Sequence, residues 1–158
     1  MLRLSKLTDY AVVVLLRLSE SDSGDAVQTS PGIATATGVP EPTVAKVLKC
    51  LATAQIVASQ RGARGGYRLM RPLEEIAIAD VITAVDGPIA LAACVDGSAS
   101  ACEVGKLCAV KGRWDLVNDA IRHALGRITL ADMREASIPT AFRIGTPAGT
   151  PAHLPISD

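Results

Sequence analysis

Apolar residues recur every three or four positions near the start of the chain, where one helical face would carry Leu7, Tyr10, Ala11, Val14, Leu15 and Leu18. This spacing predicts an amphipathic helix. Ser5 stands where a helix N-cap is expected, and Asp9 falls in the first turn. The stretch that follows is rich in Ser, Asp and Gly, which predicts a loop before the next helix.

The next segment has the pattern of two short helices joined by a turn. The first helix is expected over residues 33–37 and ends at Gly38, whereas Pro42 suits the first turn of the second, where its missing N–H costs nothing. The apolar stripe of the second helix comprises Val44, Val47, Leu48 and Leu51. A short helix, a glycine-containing turn and a second helix indicate a helix-turn-helix, although any two packed helices show similar spacing.

A β-hairpin is predicted directly after the second helix, from two short strands at residues 56–58 and 67–69. Between them lies the stretch QRGARGGYRLMR, in which Gly62, Gly65 and Gly66 permit positive φ and close backbone approach. A hairpin in this position makes a winged helix-turn-helix. The expected fold class is therefore mainly α with a small β-hairpin wing.

Two further helical patterns follow the hairpin. One is predicted from about residue 79 to Asp86, where the sequence Asp-Gly-Pro ends it. The other is one long amphipathic helix from Arg113, whose apolar positions are Trp114, Val117, Ile121, Leu125 and Ile128. This long helix is a candidate for dimerisation, and the alternative is a helix that packs back on its own core. Thr129 is expected to cap one additional short turn.

Positive charge is concentrated in one part of a chain whose 16 basic residues balance 16 acidic ones. From Thr43 to Pro72 there is no Asp or Glu, and the basic residues are Lys46, Lys49, Arg61, Arg64, Arg68 and Arg71. Such a block is typical of a surface that meets phosphate, and the alternative is a solvated face whose acidic residues lie elsewhere in space. Arginines on a thin hairpin tip suit a narrow minor groove, which favours DNA as the partner.

Three cysteines, Cys94, Cys102 and Cys108, form a C-x7-C-x5-C pattern within 15 residues. We expect a soluble cytoplasmic protein without a signal peptide or membrane span, so thiols or metal ligands are favoured over disulfides. Three thiols this close indicate a metal or an iron–sulfur cluster, and the spacing is wider than in paired zinc knuckles. Cys50, within the second helix, is expected to be a small buried side chain.

The predicted elements divide the chain into four parts. Residues 1–87 form a winged helix-turn-helix domain, 88–112 a cysteine-containing loop, 113–136 the dimerisation helix region, and 137–158 a disordered tail rich in proline. An enzyme is not expected, because the only catalytic pair in prospect is a cysteine with His123, and no phosphate-binding P-loop is present.

The stretches LSKLTDYAVVVL, VPEPTVAKVLKCLATAQIVASQRGARGGYRL and IAIADVITAVDGPIAL, with the cysteine loop before a long helix, carry a family resemblance. Over residues 1 to about 133 the chain resembles the Rrf-two family of winged-helix repressors of the IscR and NsrR type. It is most similar to the regulator of the SUF iron–sulfur assembly operon. The resemblance implies a homodimeric repressor of cluster-assembly genes that binds a pseudo-palindromic double-stranded operator and senses cluster, iron or redox status.

The resemblance also implies ligands for an iron–sulfur cluster, either 2Fe–2S or 4Fe–4S. Cys94, Cys102 and Cys108 would bind it. Some relatives carry a histidine where this chain has Lys111, and others use an acidic residue on the partner's first helix, which matches Asp9. Asp9 could instead interact with the helix dipole. A winged-helix regulator with a structural zinc or a thiol redox switch is the alternative.

On the DNA side, the resemblance implies contacts from both the recognition helix and the wing. The residues concerned are Pro42, Thr43, Ala45, Lys46 and Lys49 on the helix, and Arg61, Arg64, Gly65 and Tyr67 on the wing. Ala45 occupies a position where some relatives read bases with a glutamate, so operator preference is expected to differ. Lys46 and Lys49 would contact phosphate, which positions a protein without reading sequence.

Overall fold

The computed structural model describes residues 3–20, 27–92, 95, 109–110 and 112–135. The elements in this part of the chain are α1 (Lys6–Ser19), α2 (Ser30–Thr37), α3 (Glu41–Thr53), β1 (Val57–Gln60), β2 (Gly66–Leu69), a 3-10 turn (Leu73–Glu75), α4 (Ile78–Asp86), α5 (Trp114–Gly126) and α6 (Leu130–Arg134). The structure is mainly helical with one antiparallel hairpin, which confirms the predicted fold class. The tail over 137–158 lies outside the described residues.

One apolar core joins the first four helices, because the predicted stripes of α1 and α3 face each other across it. Leu15 of α1, Ile33 of α2 and both Leu48 and Leu51 of α3 are completely buried. Each such side chain contributes about 1.5–3 kcal/mol on burial. The core therefore fixes which faces of α1 and α3 point away from it.

Local capping sets the helix ends that precede the recognition helix. The Ser5 Oγ accepts a hydrogen bond from the Thr8 N–H at 3.2 Å, so the predicted N-cap of α1 is confirmed. Helix α2 begins three residues earlier than predicted, because the Thr29 Oγ1 caps it by accepting from the Gly32 N–H. It ends as predicted at Gly38, where φ is 73°.

The two strands of the wing extend further towards its tip than predicted. Ile56 lies between α3 and the wing, where its N–H donates to the Leu51 carbonyl of α3 at 3.0 Å, and β1 starts only at Val57. The register pairs Val57 with Leu69 and Gln60 with Gly66. The hairpin is therefore continuous up to the five-residue connection that carries Arg61 and Arg64.

A short backbone bridge ties the wing to the segment before α2. The Gln28 N–H donates to the Tyr67 carbonyl at 2.9 Å, and the Tyr67 N–H donates to the Gln28 carbonyl at 2.8 Å. A Cβ on Gly66 would lie 2.5 Å from the Gln28 carbonyl oxygen, so only glycine allows this approach. The bridge anchors β2 near its tip-side end to the segment before α2.

The predicted long C-terminal helix is wrong in its extent, because α5 ends at Gly126 after 13 residues. Ile128 instead accepts a backbone hydrogen bond from the Ile78 N–H at 2.8 Å, and the Leu130 N–H donates to the Ile76 carbonyl at 2.9 Å. This second bridge brings the chain back to the start of α4. Thr129 then caps α6 as predicted, within a capping box completed by Asp132.

Helix α5 presents apolar side chains to solvent at its first turns. Leu116 is 78% exposed, and Trp114 and Val117 are each 44% exposed. Leu125, nearer the other end, packs against the core, and Asn118 is buried with its Oδ1 accepting from the Leu91 N–H. Part of α5 thus packs back on the chain's own core, as the alternative predicted, and its role in dimerisation stays a prediction. No helix in the described ranges is long and apolar enough to cross a membrane.

Candidate functional site

The exposed face of α3 carries the residues that the sequence assigned to the major groove. Burial of the apolar stripe turns Pro42, Ala45, Lys46 and Lys49 outward, whereas Thr43 is half-buried. Spacings of three and four residues place these side chains on one side of the helix. This face is exposed and its orientation is fixed by the core behind it, as a helix entering a groove requires.

The wing tip combines exposed guanidinium groups with a tightly folded backbone. Arg61 and Arg64 are exposed, and the Gly65 N–H donates to the Gly62 carbonyl at 2.9 Å. A Cβ on Gly65 would lie 2.5 Å from the Gln60 carbonyl oxygen, so the tip depends on glycine there. The tip is narrow and positively charged, which are the two properties that minor-groove insertion requires.

Tyr67 and Arg71 lie outside the exposed tip of the wing and contact the rest of the domain. Tyr67 is partly buried against the core. The Arg71 Nη2 lies 3.7 Å from an Asp80 carboxylate oxygen, and its Nη1 donates to the Glu75 carbonyl at 3.3 Å. Arg71 is therefore engaged within the domain, although the sequence counted it in the basic block.

The basic groups that remain available are on α3 and the wing tip. Within the part of the chain that the structure describes, Lys46, Lys49, Arg61 and Arg64 form no ion pair. Uncompensated charge on exposed side chains costs little in water and is attracted to phosphate. No acidic side chain among the described residues pairs with these four groups, which favours a phosphate-binding surface.

Asp86 is a polar site that the sequence marks only as the end of α4. Its Oδ1 accepts from the Ser5 Oγ at 2.6 Å, and its Oδ2 accepts from the Thr8 Oγ1 at 2.7 Å. The Ser5 N–H donates to the same Oδ2 at 3.3 Å. Desolvation raises the pKa of Asp86, but the hydrogen bonds from Ser5 and Thr8 together outweigh it and lower the pKa below the ordinary 3.8.

The lowered pKa of Asp86 predicts an acid-sensitive contribution to stability. Because the folded pKa lies below the unfolded one, this contribution is present above about pH 3.8 and is lost as pH falls through the folded pKa. Denaturant unfolding of the wild type and an Asp86→Ala variant at several pH values measures it. We expect the wild type to be more stable near neutrality and the difference to shrink in acid. A difference that is independent of pH would contradict this role of the carboxylate.

The sequence matches a protein family over residues 4–136, and that family is described as an iron-dependent transcriptional regulator named Rrf2. The chain belongs to the Rrf2 family. The match covers all the described helices and the wing, together with the cysteine-containing segment. The resemblance noted from the motifs is thereby confirmed at the level of the family.

Relatives of this Rrf2 protein are DNA-binding regulators rather than enzymes. It is 35% identical over 138 residues to the HTH-type transcriptional regulator Rv1287 of Mycobacterium tuberculosis, and the match spans 87% of this chain and 84% of the relative. The Bacillus subtilis global cysteine regulator CymR superposes with a TM-score of 0.63 at 26% identity, over 85% of this chain and 98% of CymR. The chain is therefore a transcriptional regulator, as predicted.

A solved structure of IscR from T. potens is also similar, with a TM-score of 0.60 and 28% identity over 85% of this chain and 87% of that one. CymR is described as a global cysteine regulator, whereas the name of the T. potens protein refers to no signal. Family membership establishes transcriptional regulation for this Rrf2 protein. The closer similarity to a SUF regulator stays a prediction from the motifs.

The proposed cluster ligands of this Rrf2 protein fall mostly outside the described residues, which do not include Cys94, Cys102 or Cys108. In the ranges that are described, no group of three His, Cys, Asp or Glu side chains could hold a metal ion. Asp9 lies exposed in the first turn of α1. Cys50 is half-buried, more accessible than predicted, because it sits beside the buried stripe of α3 rather than in it.

Proposed function

We propose that this protein represses genes for iron–sulfur cluster assembly and senses cluster, iron or redox status through a bound iron–sulfur cluster. Its DNA-binding half is supported by one observation above all, the exposed face of α3 beside a basic wing tip, with no ion pair to neutralise either among the described residues. Its sensing half rests on three closely spaced thiols and on the motif resemblance. Sensor and DNA interface would then share one small chain.

The DNA contacts divide into positioning and reading groups. Lys46 and Lys49 suit phosphates, since both are flexible point charges on the exposed face of α3. Thr43 and Ala45 present a hydroxyl and a methyl group, which can meet base edges and the thymine methyl. Arg61 and Arg64 on the wing tip would follow the adjacent minor groove. Tyr67 and Gly65 would act by holding the tip in shape.

Dimerisation is part of the proposal, because a two-fold dimer presents two recognition helices to a pseudo-palindromic operator. The exposed Trp114, Leu116 and Val117 of α5 supply an apolar surface suited to a second copy of the chain. In such a dimer, Asp9 of one subunit would complete the ligand set of the other. The dimer is therefore required for both DNA binding and cluster retention.

The donor set fits an iron–sulfur cluster chemically. Thiolates are the usual ligands of such clusters, and a carboxylate can provide the remaining oxygen ligand. When bound, the group supplies a redox- and iron-sensitive signal. The chain's own part is to connect the cysteine segment to α4, which it leaves after Asp86, and to α5, which it enters at Trp114. A change in that segment would act on both helices, and its coupling to DNA affinity must be reciprocal.

Replacing Lys46 with alanine should weaken binding to all DNA sequences about equally. The slope of log affinity against log salt should become less steep by roughly 0.9 for each phosphate contact that is lost. The variant dimer would have lost two such contacts. Fluorescence anisotropy titrations over a range of salt concentrations measure the slope. Lys6→Ala is the matched control, since Lys6 is also exposed but lies in the first turn of α1. Equal slopes for the Lys46→Ala variant and the wild type would remove Lys46 from the phosphate-binding residues.

The alternative is a regulator with a thiol redox switch or a structural zinc. The similarity to the cysteine regulator CymR favours this alternative. Iron, acid-labile sulfide and zinc per chain, measured with a visible spectrum in protein purified without oxygen, distinguish the two. Iron and sulfide in near-equal amounts with a brown chromophore would support the cluster sensor. Zinc in a colourless protein, or no metal at all, would refute it.

A further inference from the structure

We infer that Asp86 is a positioning residue, which holds the first turn of α1, and with it Asp9, at the point where the chain leaves α4 for the three cysteines. This inference rests on the proposed function for the meaning of Asp9 and the cysteines. The contact itself is independent of that function. It joins two segments that no local sequence pattern relates.

The hydrogen bonds to Asp86 use the hydroxyl protons of both Ser5 and Thr8. Ser5 and Thr8 each have one hydroxyl proton, and each donates it to a different oxygen of the carboxylate. The Ser5 Oγ is then left to accept from the Thr8 N–H, which is the helix cap itself. Removing Asp86 would therefore free the hydroxyl that caps α1 to turn elsewhere.

The position of Asp86 in the fold distinguishes this contact from an ordinary surface hydrogen bond. Asp86 is the last residue of α4, and Gly87 follows with φ of 89°, a conformation that favours glycine. On the other side, Thr8 is only 1% exposed and packs within the domain. The carboxylate thus connects the exit of α4 to a buried side chain in the first turn of α1.

The first turn of α1 is in turn connected to the DNA-binding helix. Helix α1 packs against both α3 and α4, and Ala11 and Val14, one and two turns after Thr8, are completely buried. Because packed interiors resist small deformations, a displacement at the start of α1 would be transmitted to α3. In a dimer, Asp86 would link the end of α4, which precedes the cysteine segment in the chain, to the α1 turn that offers Asp9 to the other subunit.

Three variants distinguish the effect of the Asp86 carboxylate from a general effect of changing a polar side chain. Asp86→Asn keeps the shape but has one acceptor oxygen and an NH2 donor, so it cannot accept one hydroxyl proton on each of its two terminal atoms as the carboxylate does. Thr8→Val removes one donor and replaces a methyl-bearing side chain by one of similar volume. Asp80→Asn is the matched control, because Asp80 is a carboxylate on the same helix whose partner is Arg71 rather than α1.

Hydrogen exchange in the cluster-free dimer tests directly whether Asp86 positions the first turn of α1. We expect Asp86→Asn and Thr8→Val to speed exchange of the Thr8 and Asp9 amides tenfold or more, with wild-type rates on α3 and α5 and no effect from Asp80→Asn. Unchanged exchange at Thr8 and Asp9 in the Asp86→Asn variant would overturn the inference. Faster exchange throughout the chain would also overturn it, because Asp86 would then act on global stability alone.

Operator binding tests the consequence for regulation. In the wild type, the ratio of operator affinities with and without the cluster should fall in the range of about 5- to 150-fold typical of such coupling. We expect Asp86→Asn to bring the ratio towards one while dimer formation is retained. A wild-type ratio in this variant, despite faster exchange in α1, would overturn the inference. A ratio of one in the wild type itself would refute the proposed sensor, and hydrogen exchange would still decide whether Asp86 positions α1.

Discussion

Replacing Cys102 with serine should yield a protein that purifies without an iron–sulfur cluster. A serine hydroxyl is not ionised near neutral pH, whereas the thiolate is the form that binds iron. The variant would keep two of the three proposed cysteine ligands, Cys94 and Cys108, too few to retain the cluster. Iron and acid-labile sulfide, measured per chain in protein purified without oxygen, should fall to near background, and the visible absorption should disappear.

The Cys50→Ser variant is the control for this experiment. It makes the same chemical change at the one cysteine within the described residues, half-buried on α3. We expect it to retain wild-type iron and sulfide. Wild-type iron in the Cys102→Ser variant would remove Cys102 from the ligands. Equal loss in both variants would indicate that oxidation or unfolding, rather than a missing ligand, controls the iron content.

Replacing Arg61 with alanine should lower operator affinity about tenfold at fixed salt, or ~1.4 kcal/mol. Arg61 is exposed at the start of the wing tip and free of ion pairs with described residues, so its charge is available to the negative potential of a narrow minor groove. Titrations against a specific operator and against unrelated duplex DNA measure the change. The loss should be larger for the operator, because groove width depends on sequence.

Arg127→Ala controls for the loss of one positive charge. Arg127 is also exposed, but it follows α5, away from α3 and the wing in the chain. We expect the Arg127→Ala variant to bind the operator as the wild type does. If the Arg61→Ala variant also binds the operator as well as the wild type does, the wing makes no specific contact. If both lose affinity equally, the protein binds through its overall charge rather than through the wing tip.

Local periodicity is sufficient to predict the elements that build the DNA-binding half. The stripe from Val44 to Leu51 identifies α3, and its exposed face follows directly, because a helix with one buried face must present the other. Gly38 and Ser5 are recognisable because capping depends on a few neighbouring residues. Boundaries differ where local competition decides them, as at Ile56, which lies between α3 and the wing.

The contacts that sequence could not predict join residues far apart in the chain. The Gln28–Tyr67 bridge is made by backbone groups, so side-chain patterns carry no signal for it. Asp86 has the sequence pattern of a helix end and no more, since its partners Ser5 and Thr8 lie 81 and 78 positions earlier in the chain. The Asp-Gly-Pro sequence and the Ser-Lys-Leu-Thr cap are visible signals, but nothing local connects them. The cysteine ligands remain a sequence prediction, since they lie outside the described residues.

The bridge between Ala77 and Thr129 encloses a long segment of the chain. Its two flanking hydrogen bonds, Ile78 to Ile128 and Leu130 to Ile76, close a chain loop that starts at α4 and contains every proposed cysteine ligand and α5. The entropy cost of closing a loop grows only slowly with length, by about 0.6 kcal/mol for each doubling. Insertions or deletions between Gly87 and Trp114 should therefore be tolerated by the winged domain, so that the sensing segment can diverge while the DNA-binding scaffold stays constant.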